Sequence, residues 1–155
     1  MKRILAYGLA TWFGCGYAPF APGTAGTLGG LALAYVCDRL YGWHPLVYGA
    51  VALVAIAPAI WSATFVARDQ SRKDPGLVVI DEVVGVWITL AGAAALNWRS
   101  WLLAFILFRI FDIWKPWPAR QLEALPEGAG IVMDDVMAGI YGALVLFVAG
   151  WFNLY

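Results

Sequence analysis

The chain has one histidine, two cysteines and only ten residues of each charge sign among 155. Charged residues make up 13%, about half the roughly 25% of a soluble domain. With cations and anions in balance and no basic run, there is no electrostatic basis for binding nucleic acid. Cys15 and Cys37 lie in or beside apolar segments without C-x-x-C spacing, so they read as buried thiols rather than a disulfide or a reactive pair. A cleavable leader is not expected: the charged start runs through "ILAYGLATWF" into Gly, Tyr and Pro without an A-x-A site. His44, the one histidine, falls in a polar loop away from most of the acids. That removes histidine nucleophiles and histidine acid–base schemes. The D-x-D of aspartyl-phosphate enzymes and the G-K-S/T of a Walker loop are absent as well.

What the chain has in excess is apolar surface. Hydrophobic residues reach 63%, against roughly 45–50% in soluble domains, which points to an integral membrane protein. Length allows a single domain, residues 1–155. Segments at about 24–41, 46–67, 78–97, 101–119 and 136–155 approach the roughly 20 apolar residues a spanning helix needs. The stretch 4–13 is shorter and reads as an interfacial or half-inserted helix, and "GYAPFAPGTAG" after it breaks any helix. The expected fold is all-α: a polytopic membrane bundle of about five transmembrane helices plus the short N-terminal one. Pro58 predicts a kink in the second span, and residues 118–124 predict a short surface helix.

Loop charges set the expected orientation. With the N-terminus cytoplasmic, Lys2, Arg3, Arg68, Arg72, Lys73, Lys115 and Arg120 fall inside, and only Arg39 and Arg99 outside. The same topology gathers Asp69, Asp74, Asp81, Glu82, Asp112, Glu123, Glu127, Asp134 and Asp135 at the cytoplasmic ends. Asp38 alone lies opposite.

Ionisable groups within apolar helices are costly and usually functional. Asp81 and Glu82 open the third span, and Asp134 and Asp135 the fifth, where a helix dipole favours anions. Gly85 follows the first pair by a turn, and Ala138 and Gly139 the second. Small residues let two helices approach closely, which would bring the acids to a shared ion. Asp112 joins them from the fourth span. Oxygen-only ligands suit Mg²⁺, so Asp81, Glu82, Asp112, Asp134 and Asp135 are the candidate metal ligands. Arg109 and Lys115 flank Asp112 at spacing three and share its helix face, a pattern suited to a phosphate. The turn "GTAGT" opens a helix whose free N–H groups could receive an anion, adding Gly23, Thr24 and Thr27 as candidate phosphate binders. The reactions left open are hydrolysis by metal-activated water and direct attack by an aspartate.

The segments "APGTAGT" (21–27), "DPGLVVIDEVVGVW" (74–87), "FRIFDIWKPWP" (108–118) and "MDDVMAG" (133–139) together resemble the phosphatidylglycerophosphatase A family of bacterial lipid phosphatases. They run in family order and cover nearly the whole chain; Thr27 stands where the family more often has Ser. The resemblance implies Mg²⁺-dependent removal of the terminal phosphate of phosphatidylglycerophosphate, at the cytoplasmic face of the inner membrane. Asp81, Glu82, Asp112 and Asp135 are then the expected catalytic residues, one of them orienting or deprotonating water. The expected partner is the phospholipid itself, and a homo-oligomer is compatible with the sequence. Two other readings use the same acids: a proton-coupled transporter, and a non-catalytic scaffold of ion-paired helices. A relay should thread acids through the whole membrane, whereas here the outer half is nearly free of them.

Overall fold

Prolines, glycines and small polar caps divide the chain into helices, and no strand forms. The computed structural model describes all 155 residues. Its helices are α1 (Lys2–Ala10), α2 (Pro22–Tyr41), α3 (Pro45–Asp69), α4 (Ile80–Ala91), α5 (Trp98–Trp114), α6 (Ala119–Leu122) and α7 (Gly128–Trp151), with a 3-10 turn at Cys15–Tyr17. Pro22 and Pro45 occupy the first turns of α2 and α3, where a missing N–H costs nothing. Gly42, at φ 62°, ends α2 in the left-handed region that suits glycine. His44 caps α3 by accepting from the Leu46 N–H at Nδ1, which is the loop role expected for it. Asn97 and Ser100 form a reciprocal capping box on α5. α3 runs through Pro58 without ending.

The short helix α4 is the hub, with ten of its twelve residues buried. It packs against α2, α3, α5 and α7. Its closest approach is to α7, and glycine makes that approach possible. A Cβ on Gly139 would run into the Gly85 carbonyl, and one on Gly85 would lie 2.8 Å from the Asp135 carbonyl. The Thr89 hydroxyl lies 3.2 Å from the carbonyl oxygens of both Gly85 and Gly139 and ties the crossing together.

The five-span expectation does not hold. Only α3 and α7 are long and apolar enough to cross a membrane by length and composition. α4 is about 18 Å long and α5 about 26 Å at 1.5 Å per residue, short of a hydrocarbon core of about 30 Å. α2 has the length, but its "PGTAGT" start dilutes the apolar run. The 78–97 segment looked like a span because α4 is apolar on all sides, and that apolar surface faces other helices. Outer faces elsewhere do remain apolar: Leu33, Val54, Ile110, Leu144 and Phe147 are all exposed, an extent unusual for a soluble monomer.

Candidate active site

One end of the bundle gathers the N-termini of α2 and α4, the C-terminus of α5 and the second turn of α7. Between them lies a cavity of about 520 Å³, whose walls carry the acids Asp74, Asp81, Glu82, Asp112, Glu123, Glu127, Asp134 and Asp135 and the cations Lys73, Arg109 and Lys115. All five acids singled out from the sequence therefore meet. Asp81 and Glu82 sit in the first turn of α4, where the dipole favours them. The dipole reasoning fails for Asp134 and Asp135, because α7 starts at Gly128, well before residue 136. Gly128 and Gly130 look like loop residues in the sequence. In the fold they are packing positions, with Gly128 against the backbone of Ile60 and Thr64, and Gly130 2.6 Å from the Leu125 carbonyl by its virtual Cβ.

The five acids divide into two kinds. Asp112 and Asp134 are matched with cations. Asp112 Oδ2 lies 2.6 Å from Arg109 Nη1, and Asp134 Oδ2 lies 2.6 Å from Lys115 Nζ, which also holds Glu123. The second oxygen of Asp134 accepts the Asp135 N–H. Asp81, Glu82 and Asp135 are different, since each offers a carboxylate oxygen within 4.8 Å of the others. Asp81 Oδ1, Glu82 Oε2 and Asp135 Oδ2 are buried without a hydrogen-bond partner. Buried carboxylates of this kind are neutralised by a proton, a counter-ion or a metal. The donor set, all carboxylate oxygen, fits a hard divalent cation, so the residues present suit the Mg²⁺ expected for them.

Arg109 keeps capacity for a further anion. Its Nη1 is close to Asp112 and 3.9 Å from Glu82 Oε1, yet it is aligned for a hydrogen bond with neither. Gly23 brings the start of α2 against this pair: its virtual Cβ would strike Glu82 Oε1 and lie 3.2 Å from Arg109 Nη1. Of the other turn residues, neither Thr24 nor Thr27 lines the cavity. Thr27 is buried and its hydroxyl donates to the Gly23 carbonyl, so it braces the turn. Lys73, Asp74, Glu123 and Glu127 are cavity residues with no assigned site role in the sequence reading. They sit in polar loops at no helical spacing from the other acids. Cys15 and Cys37 are free and half-buried.

The phosphatidylglycerophosphatase A family matches residues 8–150. The chain belongs to this family. Two relatives carry the name phosphatidylglycerophosphatase A. The Escherichia coli protein is 36% identical over 143 residues, 92% of this chain and 81% of the relative. The Haemophilus influenzae protein is 40% identical over 148 residues, 94% of this chain and 89% of the relative. A Bacteroides thetaiotaomicron protein, 40% identical over 157 residues, 97% of this chain and 98% of the relative, bears the provisional name phosphatidylinositol-3-phosphatase. No solved structure matches the chain. Membership in the phosphatidylglycerophosphatase A family makes the chain a phosphoric monoester hydrolase, and the acid-lined cavity is the candidate for its active site.

Within it, the Lys115 ion pair carries structural weight. Burial works against the Lys115 ammonium, but its bonds to Asp134 and Glu123 outweigh this and push its pKa above the usual lysine value. Lys115 therefore stays charged through neutral and mildly alkaline pH, and the pair's contribution is lost only on strong alkalinisation. Replacing Lys115 by Met leaves Asp134, 4% exposed, without its cation and is expected to destabilise the fold by about 3 kcal/mol. Adding Asp134→Asn should recover most of that loss. A denaturation midpoint no higher in the double variant than in Lys115→Met would remove the pair from the stability argument.

Proposed function

We propose that the chain is a Mg²⁺-dependent phosphatidylglycerophosphatase that hydrolyses the terminal phosphate monoester of phosphatidylglycerophosphate. Phosphatidylglycerol and inorganic phosphate are the products. The observation that carries this reading is the set of three unpartnered oxygens, on Asp81, Glu82 and Asp135, beside an Arg109 with hydrogen-bonding capacity to spare. Asp81, Glu82 and Asp135 would hold the ion. When bound, Mg²⁺ supplies charge neutralisation at the phosphoryl oxygens and a lowered pKa for water.

The protein's own residues do the rest. Arg109 and the N-terminus of α2 at Gly23 take the remaining phosphate oxygens, with Asp112 holding the guanidinium in place. Lys115 holds Asp134 and Glu123, joining the end of α5 to α6 and α7 at the cavity wall. One of Asp81, Glu82, Asp112 and Asp135, through an oxygen turned away from its other partner, orients the attacking water and accepts its proton. The phosphorus–oxygen bond to the glycerol then breaks, and the carboxyl group returns the proton to the departing oxygen, so that the alcohol leaves and the carboxylate is restored. Positioning and charge stabilisation supply most of the rate in phosphoryl transfer.

The bundle sits in the inner membrane as a multi-pass protein with the N-terminus and the cavity cytoplasmic. Seven of the nine loop Lys and Arg residues cluster at the cavity end of the sequence topology, in line with the positive-inside rule. The Bacteroides relative supports a second substrate, a phosphatidylinositol 3-phosphate, which presents the same group: a phosphate monoester on a lipid headgroup.

The test is phosphate release by purified protein from each lipid in mixed micelles, with and without EDTA. Phosphatidylglycerophosphate should be hydrolysed in a Mg²⁺-dependent way, and in membrane vesicles only when they are inside-out. Faster release from the inositol lipid would exchange the substrate. Release unaffected by EDTA, or release from neither lipid, would remove the proposal.

A further inference from the structure

A lipid phosphatase must hold a charged headgroup and leave two acyl chains in the bilayer, so its polar cavity needs an apolar exit. One wall supplies it. α2 and α5 run antiparallel, and their far ends are closed by Tyr35 meeting Trp101 edge-on at 5.8 Å. At the near end the same two helices flank the cavity. Ala21, Pro22 and Gly23 stand on one side, with Arg109, Asp112 and Ile113 on the other.

Ile113 is the informative residue. It lines a cavity walled mostly by charged groups, yet it is 73% exposed to the outside. The adjoining surface is apolar along α5 and at the turn that precedes α2. Ile110 and Ile106 continue the face of Ile113 along α5 at helical spacing, and Phe20 stands beside Ala21; all three are exposed. No other wall combines cavity lining with an exposed large apolar side chain, since Val78 is buried, as is Ile131.

We propose that the acyl chains of the lipid substrate leave the cavity between α2 and α5, across Ile113, and lie along the Ile113–Ile110–Ile106 face. This rests on the lipid phosphatase reading of the same cavity. It adds the direction of substrate entry and a residue that sets the preference for lipid over free headgroup.

The experiment compares phosphate release from dioleoyl phosphatidylglycerophosphate in bilayers with release from its deacylated headgroup in water. Ile113→Trp narrows the exit. The ratio of lipid to headgroup turnover should fall about tenfold, the effect of losing a few methylene contacts. Leu144→Trp, on the exposed face of α7, should leave the ratio unchanged. Ile113→Cys, folded and purified before alkylation with a bulky maleimide, gives the same reading without burdening folding; treated wild type controls for Cys15 and Cys37. An unchanged ratio in both Ile113 variants, or the same fall in Leu144→Trp, overturns the exit. Failure of the wild type on both substrates would instead sink the phosphatase reading, so the two failures are distinct.

Discussion

Replacing Asp135 by asparagine is expected to lower phosphate release by about a thousandfold, the scale of losing one charge-stabilising group. The same change should make the metal-free protein harder to unfold. Asp135 is 3% exposed and Asp81 8% exposed, and with Glu82 they place three carboxylates within 4.8 Å. Without a cation this group is self-repelling and poorly solvated, so removing one charge relieves the fold by about 1–3 kcal/mol. Magnesium should reverse the order. It stabilises the wild type by binding only the folded state, and the variant loses that gain. Denaturant unfolding in detergent, with and without Mg²⁺, reads both effects. An Asp135→Asn protein less stable than wild type in EDTA, or one still stabilised by Mg²⁺, would show that the three oxygens do not share an ion.

Gly139→Ala should damage the enzyme from a residue that touches no substrate. The added methyl would run into the Gly85 carbonyl of α4. Neither backbone can yield without moving a helix, so overpacking of about 1–3 kcal/mol is expected. The displacement has a direction as well as a cost. Asp135 lies one turn before Gly139, and Asp81 and Glu82 lie one turn before Gly85, so separating α4 from α7 opens the acid cluster. A shift near 1 Å can cost about a hundredfold in rate, so activity should fall further than stability alone explains. Gly8→Ala, in the middle of α1, is the control. Its virtual Cβ meets nothing within 4 Å, and the gain in helix propensity should stabilise the protein by up to about 1 kcal/mol. Equal behaviour of the two alanines would remove the close crossing from the account of the site.

These two variants also mark what could be read in the sequence. The acids were legible because a charge in an apolar run is conspicuous, and so was the small residue one turn after each pair, which the crossing at Gly85 and Gly139 bears out. The helix count was not. A window of apolar residues reports burial without saying whether lipid or protein does the burying, and α4 is enclosed by protein. The start of α7 was misplaced for a related reason: "EGAG" has the composition of a loop, while its glycines are there for backbone contact with α3 and the loop before α7. The pairing of Asp134 with Lys115 and of Asp112 with Arg109 needed three dimensions. Five equivalent acids in the sequence became three that face one another and two held closely by cations.

The enclosure of α4 also divides the chain into two regimes of substitution. On the outer faces of α3 and α7, exchange of one exposed large apolar residue for another, such as Val54→Leu or Phe147→Ile, leaves the packing of the bundle unchanged. Along α4 the rule becomes one of volume and shape. Val83, Val84 and Val86 are fully enclosed, so a larger side chain has nowhere to go and a smaller one leaves a void. Natural variation in this enzyme should therefore be broad where it is greasiest outside and narrow along twelve residues within.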